Sequence, residues 1–65
     1  MGKHTPTTAL IAALEAAGKT NEAEALRLAR RRFIDVDAYD EPRYSEAIDR
    51  LNAQRKEAER TLRSA

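Results

Sequence analysis

Large apolar residues recur at helical spacing in three separate segments of the chain. The first segment presents four such positions on one helical face: Leu10, Ile11, Leu14 and Ala17. Gly18 follows them, and a glycine commonly ends a helix because it adopts left-handed backbone geometry without strain. We therefore predict a helix over residues 7–17, with Thr7 or Thr8 as its N-terminal cap.

The second segment begins after a short link and shows the same periodicity. Its core-facing positions are Ala23, Leu26, either Ala29 or Arg30, and Phe33. Asn21, followed three residues later by Glu24, is typical of a capping box at a helix start. We predict a helix over residues 21–35. Because the link at residues 18–21 is short, the first two helices should pack as an antiparallel hairpin.

The third segment follows an acidic linker at residues 36–40. Pro42 suits the first turn of a helix, with Asp40 or Glu41 as the cap, so we predict a third helix over residues 41–62. Positions along it recur in alternating steps of four and three residues, which is the spacing of a heptad seam. The predicted self-association residues on this seam are Tyr44, Ile48, Leu51, Arg55, Ala58 and Leu62.

The predicted third helix is longer than either arm of the hairpin before it. At a rise of 1.5 Å per residue it extends roughly 33 Å, about twice the length of the first helix. We therefore expect the hairpin to leave the C-terminal half of helix 3 uncovered. The sequence predicts one all-α domain over residues 1–65, with a flexible arm at residues 1–6, that forms a homodimer through helix 3.

The composition adds to the case for a partner. Hydrophobic residues make up 42% of the 65 residues, but 13 of these 27 side chains are alanines. A core this small is marginal on its own, and small scaffolds usually gain stability from a disulfide, a metal or association. The chain has no cysteine and one histidine, so a disulfide or a His/Cys metal site is excluded. We predict no cofactor.

The sequence also shows no recognisable targeting signal. No apolar run approaches the roughly 20 residues of a membrane span, and no secretory leader is recognisable. We expect a cytoplasmic protein with no membrane partner.

Charge is distributed in blocks, although the formal net charge is only +1. Residues 1–34 carry +3, residues 35–49 carry −5 and residues 50–65 carry +3. The densest basic cluster comprises Arg27, Arg30, Arg31 and Arg32. Arginines can bind nucleic-acid phosphates. Cations near a helix C-terminus also stabilise the helix dipole, and the acidic linker could neutralise them, so both interpretations stay open.

Aromatic residues gather around the second linker. Phe33, Ile34, Tyr39 and Tyr44 either close the core between helices 2 and 3 or, where exposed, form an anchor for a partner. With Asp40 of the acidic linker, Tyr39 belongs to the predicted contact surface, together with the basic cluster.

The hairpin resembles two known helical motifs in part. Residues 14–24, with Gly18 at the turn, superficially resemble a helix-turn-helix, although charged Glu24 stands at a packing position. Four positions are similar to packing positions of a tetratricopeptide helix pair, namely Leu10, Leu14, Gly18 and Ala23. Arg30 and Asp35 depart from that pattern, and one unit is not a repeat array. The likeness implies a helical hairpin with a protein-binding surface.

Catalytic chemistry has little support in this sequence. The single histidine lies in the predicted arm, and the chain has two glycines and no glycine-rich phosphate loop. We predict a non-catalytic protein–protein interaction module, acting as an adaptor, assembly factor or regulator. Its partners would be a second copy and an unidentified protein, with no small-molecule substrate. The alternative is a small dimeric DNA-binding regulator that uses the basic cluster at residues 27–32.

Overall fold

A computed structural model describes residues 5–64 of the chain. Within that range the chain forms three α-helices and no strand: α1 over Thr7–Ala16, α2 over Thr20–Asp35 and α3 over Glu41–Ser64. The all-α prediction is confirmed. Helix α1 ends one residue earlier than the pattern predicts, α2 begins one residue earlier and α3 continues two residues further. Residues 1–4 of the predicted flexible arm lie outside the described range.

The turn between α1 and α2 depends on Gly18. Its φ of 78° lies in the left-handed region. The Gly18 N–H donates to the Glu15 carbonyl at 3.0 Å, and the Lys19 N–H donates to the Leu14 carbonyl at 2.8 Å. These two hydrogen bonds define a Schellman motif, which satisfies carbonyls at the end of α1 and reverses the chain. Helix α2 therefore returns alongside α1.

The helix starts differ from the predicted caps. Pro6 precedes α1 and Lys19 precedes α2, and neither start has a side-chain capping hydrogen bond. The predicted threonine cap on α1 and the capping box at the start of α2 are therefore wrong. Threonine and glutamate side chains at these starts instead bond to α3, as described below.

The core is made of leucine, isoleucine and alanine side chains from all three helices. Leu14 of α1 and Leu26 of α2 are fully buried at its centre. The cluster is completed by Leu10, Ile11, Ala23, Ala29, Leu51 and Ala58, with Phe33 and Leu62 packed against it. Burial of one leucine side chain contributes about 1.5–3 kcal/mol, so the two central leucines supply a large part of the apolar stabilisation.

The C-terminal half of α3 is covered within the chain, contrary to the expectation from helix length. Ala58 is only 2% exposed and Leu62 packs against the core. Arg55 donates to Thr7 Oγ1 at 2.7 Å and to the Thr5 carbonyl at 2.6 Å. Helix α1 joins the N-terminal end of α2, and α3 returns antiparallel along α2. Helix α1 therefore lies over the C-terminal half of α3.

The two ends of the α2–α3 pair are marked by different contacts. Near the start of α2, Thr61 Oγ1 donates to Glu22 Oε1 at 2.5 Å. At the other end, the Phe33 and Tyr44 rings pack with centroids 5.3 Å apart and planes tilted by 42°. The molecule measures 38 × 30 × 15 Å, so it is thin in one direction. Helix α1 covers one side of the α2–α3 pair, and the opposite side of the pair faces solvent.

Candidate functional site

The solvent-facing side of the α2–α3 pair contains a groove of about 540 Å³. Its walls are exposed positions of α2 and α3, and its floor is formed by small side chains of α2. The lining residues are Ala25, Leu28, Ala29, Arg31, Arg32, Asp35, Arg50 and Gln54. We call this surface the basic groove.

A second depression of about 370 Å³ extends the basic groove toward the linker between α2 and α3. Arg32, Asp35 and Arg50 line both depressions. The extension is otherwise lined by Val36, Arg43, Glu46 and Ala47. Arg32 and Arg50 therefore occupy the middle of one continuous channel between the helices.

The floor of the basic groove is apolar and is formed by small alanine side chains. Ala29 is buried, Ala25 is partly buried, and Leu28 is 60% exposed. Leu28 lies two residues after Leu26, which rotates it by about 200° around α2 and away from the core. An exposed leucine alone is ordinary, but beside two alanines in a concave surface it forms an apolar contact site.

Positive charge dominates the walls of the basic groove. Arg31 Nε lies 3.9 Å from Asp35 Oδ2, a long contact between exposed side chains. Arg32 and Arg50 form no ion pair within residues 5–64. Their guanidinium groups are therefore available to bind a carboxylate or phosphate from another molecule.

The predicted basic cluster does not form one surface. Arg27 pairs with Glu15 of α1 and lies 3.7 Å from Glu24, so its charge is used within the hairpin. Arg31 and Arg32 line the basic groove, whereas Arg30 is exposed and lies outside it. The separation follows from the helix, in which residues five apart are rotated by about 140°.

The aromatic residues at the linker are also divided. Phe33 and Tyr44 pack on each other, as one interpretation of the sequence predicted. Tyr39 and Ile34 are 94% and 58% exposed, so the core does not include them. The Tyr39 N–H donates to Asp37 Oδ1 at 2.9 Å, which fixes the turn and leaves the ring in solvent. The predicted contact residue Asp40 pairs with Arg43 at 3.5 Å.

The predicted seam residues of α3 face the interior of the same chain. Leu51 and Ala58 are buried in the core, while Tyr44, Ile48, Arg55 and Leu62 are partly buried. The expectation that Arg55, Ala58 and Leu62 lack cover is wrong, because α1 and the start of α2 provide it. The heptad spacing thus coincides with packing within the chain. Dimerisation through α3 stays a prediction.

Several residues of the basic groove are not evident from the sequence pattern. Ala25 and Leu28 lie outside the buried periodicity of α2, and Arg50 and Gln54 belong to the polar face of α3. A leucine outside the core-facing positions was the available signal. Whether this leucine is covered depends on which face of α2 packs against α1, and the sequence pattern does not show which face that is.

The arginines and the apolar floor of the groove suit the binding of a partner that carries acidic and apolar groups. Among residues 5–64, no serine or threonine lines the groove. Across the part of the chain that the structure describes, no group of three or more His, Cys, Asp or Glu side chains is placed to hold a metal ion. In that same part, no helix is long and apolar enough to cross a membrane.

No family model, curated protein or solved structure matches this chain.

Proposed function

We propose that this protein is a small non-catalytic protein–protein interaction module that binds its partner in the basic groove. The observation that supports this function is one concave surface that combines exposed Leu28, an alanine floor, and Arg32 and Arg50, which form no ion pair within residues 5–64. Interaction sites commonly surround an apolar centre with a polar rim, and arginine is favoured among the residues that dominate binding.

The experiment that tests this function compares two matched variants in affinity capture from the native host with mass spectrometry. Leu28→Gln removes the apolar centre of the groove. Ile34→Gln is the control, because Ile34 lies on the same helix with nearly equal exposure, 58% against 60%, and lines neither depression. We expect one partner to be captured by the unmodified chain and by Ile34→Gln but lost by Leu28→Gln. Equal capture by all three proteins would contradict a function in this groove.

A DNA-binding regulator remains the second candidate function. It is supported by Arg30, Arg32 and Arg50, which have no ion-pair partner among residues 5–64. It is weakened by the engagement of Arg27 with two carboxylates and by the separation of the cluster around α2. Fluorescence anisotropy with duplex DNA at two salt concentrations tests it. Binding that falls steeply with salt and is lost in Arg30→Ala/Arg31→Ala would favour DNA.

Self-association through α3 also remains a proposal, supported by the heptad spacing and the small core. Leu51→Glu cannot test it, because Leu51 is buried within one chain and its loss would unfold the monomer. Sedimentation of the unmodified chain over a wide range of concentrations is the direct test. A single monomeric species at every concentration would exclude the dimer.

A further inference from the structure

We propose that the ligand of the basic groove is an amphipathic helix of a partner protein, with a stripe of small apolar residues flanked by glutamate or aspartate. This inference rests on the proposed function, because it names the class of partner for the same surface. It depends on the shape of the groove, its apolar floor and the sign of its charge, which are independent features.

The shape of the groove suits a helix. It runs between two antiparallel helices, α2 and α3, and the small side chains of Ala25 and Ala29 allow another helix to approach closely. Ridges of one helix pack into the grooves between others at interaxial distances of about 8–10 Å. A helix also satisfies its own backbone hydrogen bonds. The alanine and leucine side chains of the floor offer none to an extended peptide.

The length of the groove sets the length of the ligand. Its lining along α2 runs from Ala25 to Val36, and this span corresponds to about 17 Å at the rise of an α-helix. A ligand helix of about three turns would cover it. Apolar residues at positions i, i+3 or i+4, and i+7 of that helix would face Leu28 and the alanine floor.

The charge of the groove selects an acidic ligand. Arg32 and Arg50 lie on opposite walls of the channel, on α2 and α3, and both line its two depressions. Neither forms an ion pair within residues 5–64. Carboxylates on both sides of a ligand's apolar stripe would meet the two walls and accept charge-assisted hydrogen bonds from the guanidinium groups.

A symmetric dimer through this groove is disfavoured by the same charges. In a twofold interface each patch meets its own copy. Each copy of the channel is lined by four arginines and only two carboxylates, Asp35 and Glu46, so two copies would bring together surfaces with an excess of the same charge. Charge complementarity therefore favours a partner of opposite sign over a second basic groove.

The probe for this proposal is a synthetic peptide of about 14 residues, which is about four helical turns. It carries leucine and alanine on one face, glutamates on both flanks and a fluorophore at one end. We expect saturable binding in anisotropy titrations, with a gain of helical circular dichroism in the mixture over the sum of the components. Arg32→Glu/Arg50→Glu should weaken binding by about tenfold or more. A lysine-for-glutamate peptide should bind this double variant more tightly than it binds the unmodified chain.

The controls separate this proposal from its alternatives. Lys56→Glu/Arg63→Glu makes the same total charge change at two exposed positions of α3 outside the groove, and it should change affinity by less than about twofold. Equal loss of affinity in this control and in the groove variant would overturn the proposal, because net charge alone would then explain binding. Tighter binding of duplex DNA than of the acidic peptide would overturn it in favour of nucleic acid. Self-association that the groove variant abolishes would overturn it in favour of a second copy.

The same results distinguish this proposal from the proposed function. A partner captured through Leu28, combined with no binding of the acidic peptide, would reject the acidic helix and retain the interaction module. Absence of any Leu28-dependent partner together with absence of peptide binding would reject both. Groove-dependent peptide binding supports the acidic helix directly, whatever the capture experiment finds.

Discussion

The two halves of α3 meet the rest of the chain in different ways. The C-terminal half is covered by α1 and by the start of α2, where Ala58 is 2% exposed. Arg55 bonds to Thr7 and to the Thr5 carbonyl just before α1, and Thr61 bonds to Glu22 of α2. The N-terminal half contributes Leu51 to the core, but on its outer side Arg50 lines an open groove together with residues of α2. The C-terminal half is joined to the first part of the chain by side-chain hydrogen bonds, whereas the N-terminal half borders a surface open to solvent.

This difference shows that a helix pattern does not by itself identify an interface. The seam on α3 has regular heptad spacing, but three of its residues, Leu51, Ala58 and Leu62, pack in the core of the same chain. The candidate binding surface lies outside the seam, where exposed Leu28 and two less exposed alanines of α2 line an open groove. Packing within the chain and binding to a partner should therefore respond to different substitutions, and the following predictions separate them.

The largest expected effect comes from the buried side of the hairpin. Leu14 is fully buried, and Leu14→Ala should lower the free energy of unfolding by about 2–5 kcal/mol, since it removes buried methyl groups and leaves a cavity. Leu28→Ala is the matched change on the groove side and should cost less than about 1 kcal/mol. Urea denaturation followed by circular dichroism measures both.

Because the chain is small, the difference in stability between Leu14→Ala and Leu28→Ala should be easy to measure. A domain of 65 residues has a total stability of about 3–10 kcal/mol on average values per residue, so Leu14→Ala should remove about half of it. Comparable losses from both substitutions would mean that Leu28 contributes to the core, and the groove would lose its apolar floor as a free surface.

A smaller effect is expected from overfilling the covered half of α3. Ala58→Leu introduces a large side chain where the alanine is almost fully buried, and it should destabilise the fold by about 1–3 kcal/mol. Ala53→Leu places the same side chain on an exposed position of the same helix and should change stability by less than about 0.5 kcal/mol. An Ala58→Leu variant as stable as the unmodified chain would mean that α1 does not cover this position.

Arg55 should show an intermediate effect, because it links α3 to the start of α1. Arg55→Met keeps the apolar stem but removes hydrogen bonds to Thr7 Oγ1 and to the Thr5 carbonyl. We expect a loss of about 1–2 kcal/mol. A double-mutant cycle with Thr7→Val measures the coupling between the two side chains. Lys56→Met is the control at the neighbouring exposed position, and an equal loss there would contradict a specific role for Arg55.

The helices could be predicted because their signals are local. Leucine spacing, Gly18 and Pro42 indicated three helices, and the observed bounds are Thr7–Ala16, Thr20–Asp35 and Glu41–Ser64. The caps were harder to predict, because Thr7, a predicted cap of α1, instead accepts a hydrogen bond from Arg55 of α3. Arg55 lies 48 residues away in sequence, and the local pattern contains no information about this contact.

The groove could not be predicted, because it lies on the side of the α2–α3 pair that α1 does not cover. The sequence shows arginines at positions 31 and 32. That they share a groove with Arg50 depends on how α2 and α3 face each other, which the sequence does not show. The division of the basic cluster could have been predicted from the sequence. Each residue turns an α-helix by about 100°, so Arg27 and Arg32 point about 140° apart. The engagement of Arg27 by Glu15 required the hairpin register.

The smallest effect on stability should come from the groove arginines. Arg32→Gln/Arg50→Gln removes two charges that form no ion pair within the described part of the chain. The free energy of unfolding should therefore change by less than about 0.5 kcal/mol. Arg32 stands in the last turn of α2, where a cation interacts favourably with the helix dipole, and this loss opposes any relief of repulsion between the two arginines, so the net change should stay small at low and at high salt. Thermal denaturation at two salt concentrations measures this. A loss exceeding about 1 kcal/mol would show that these guanidinium groups support the fold, which would argue against their being free to bind a partner.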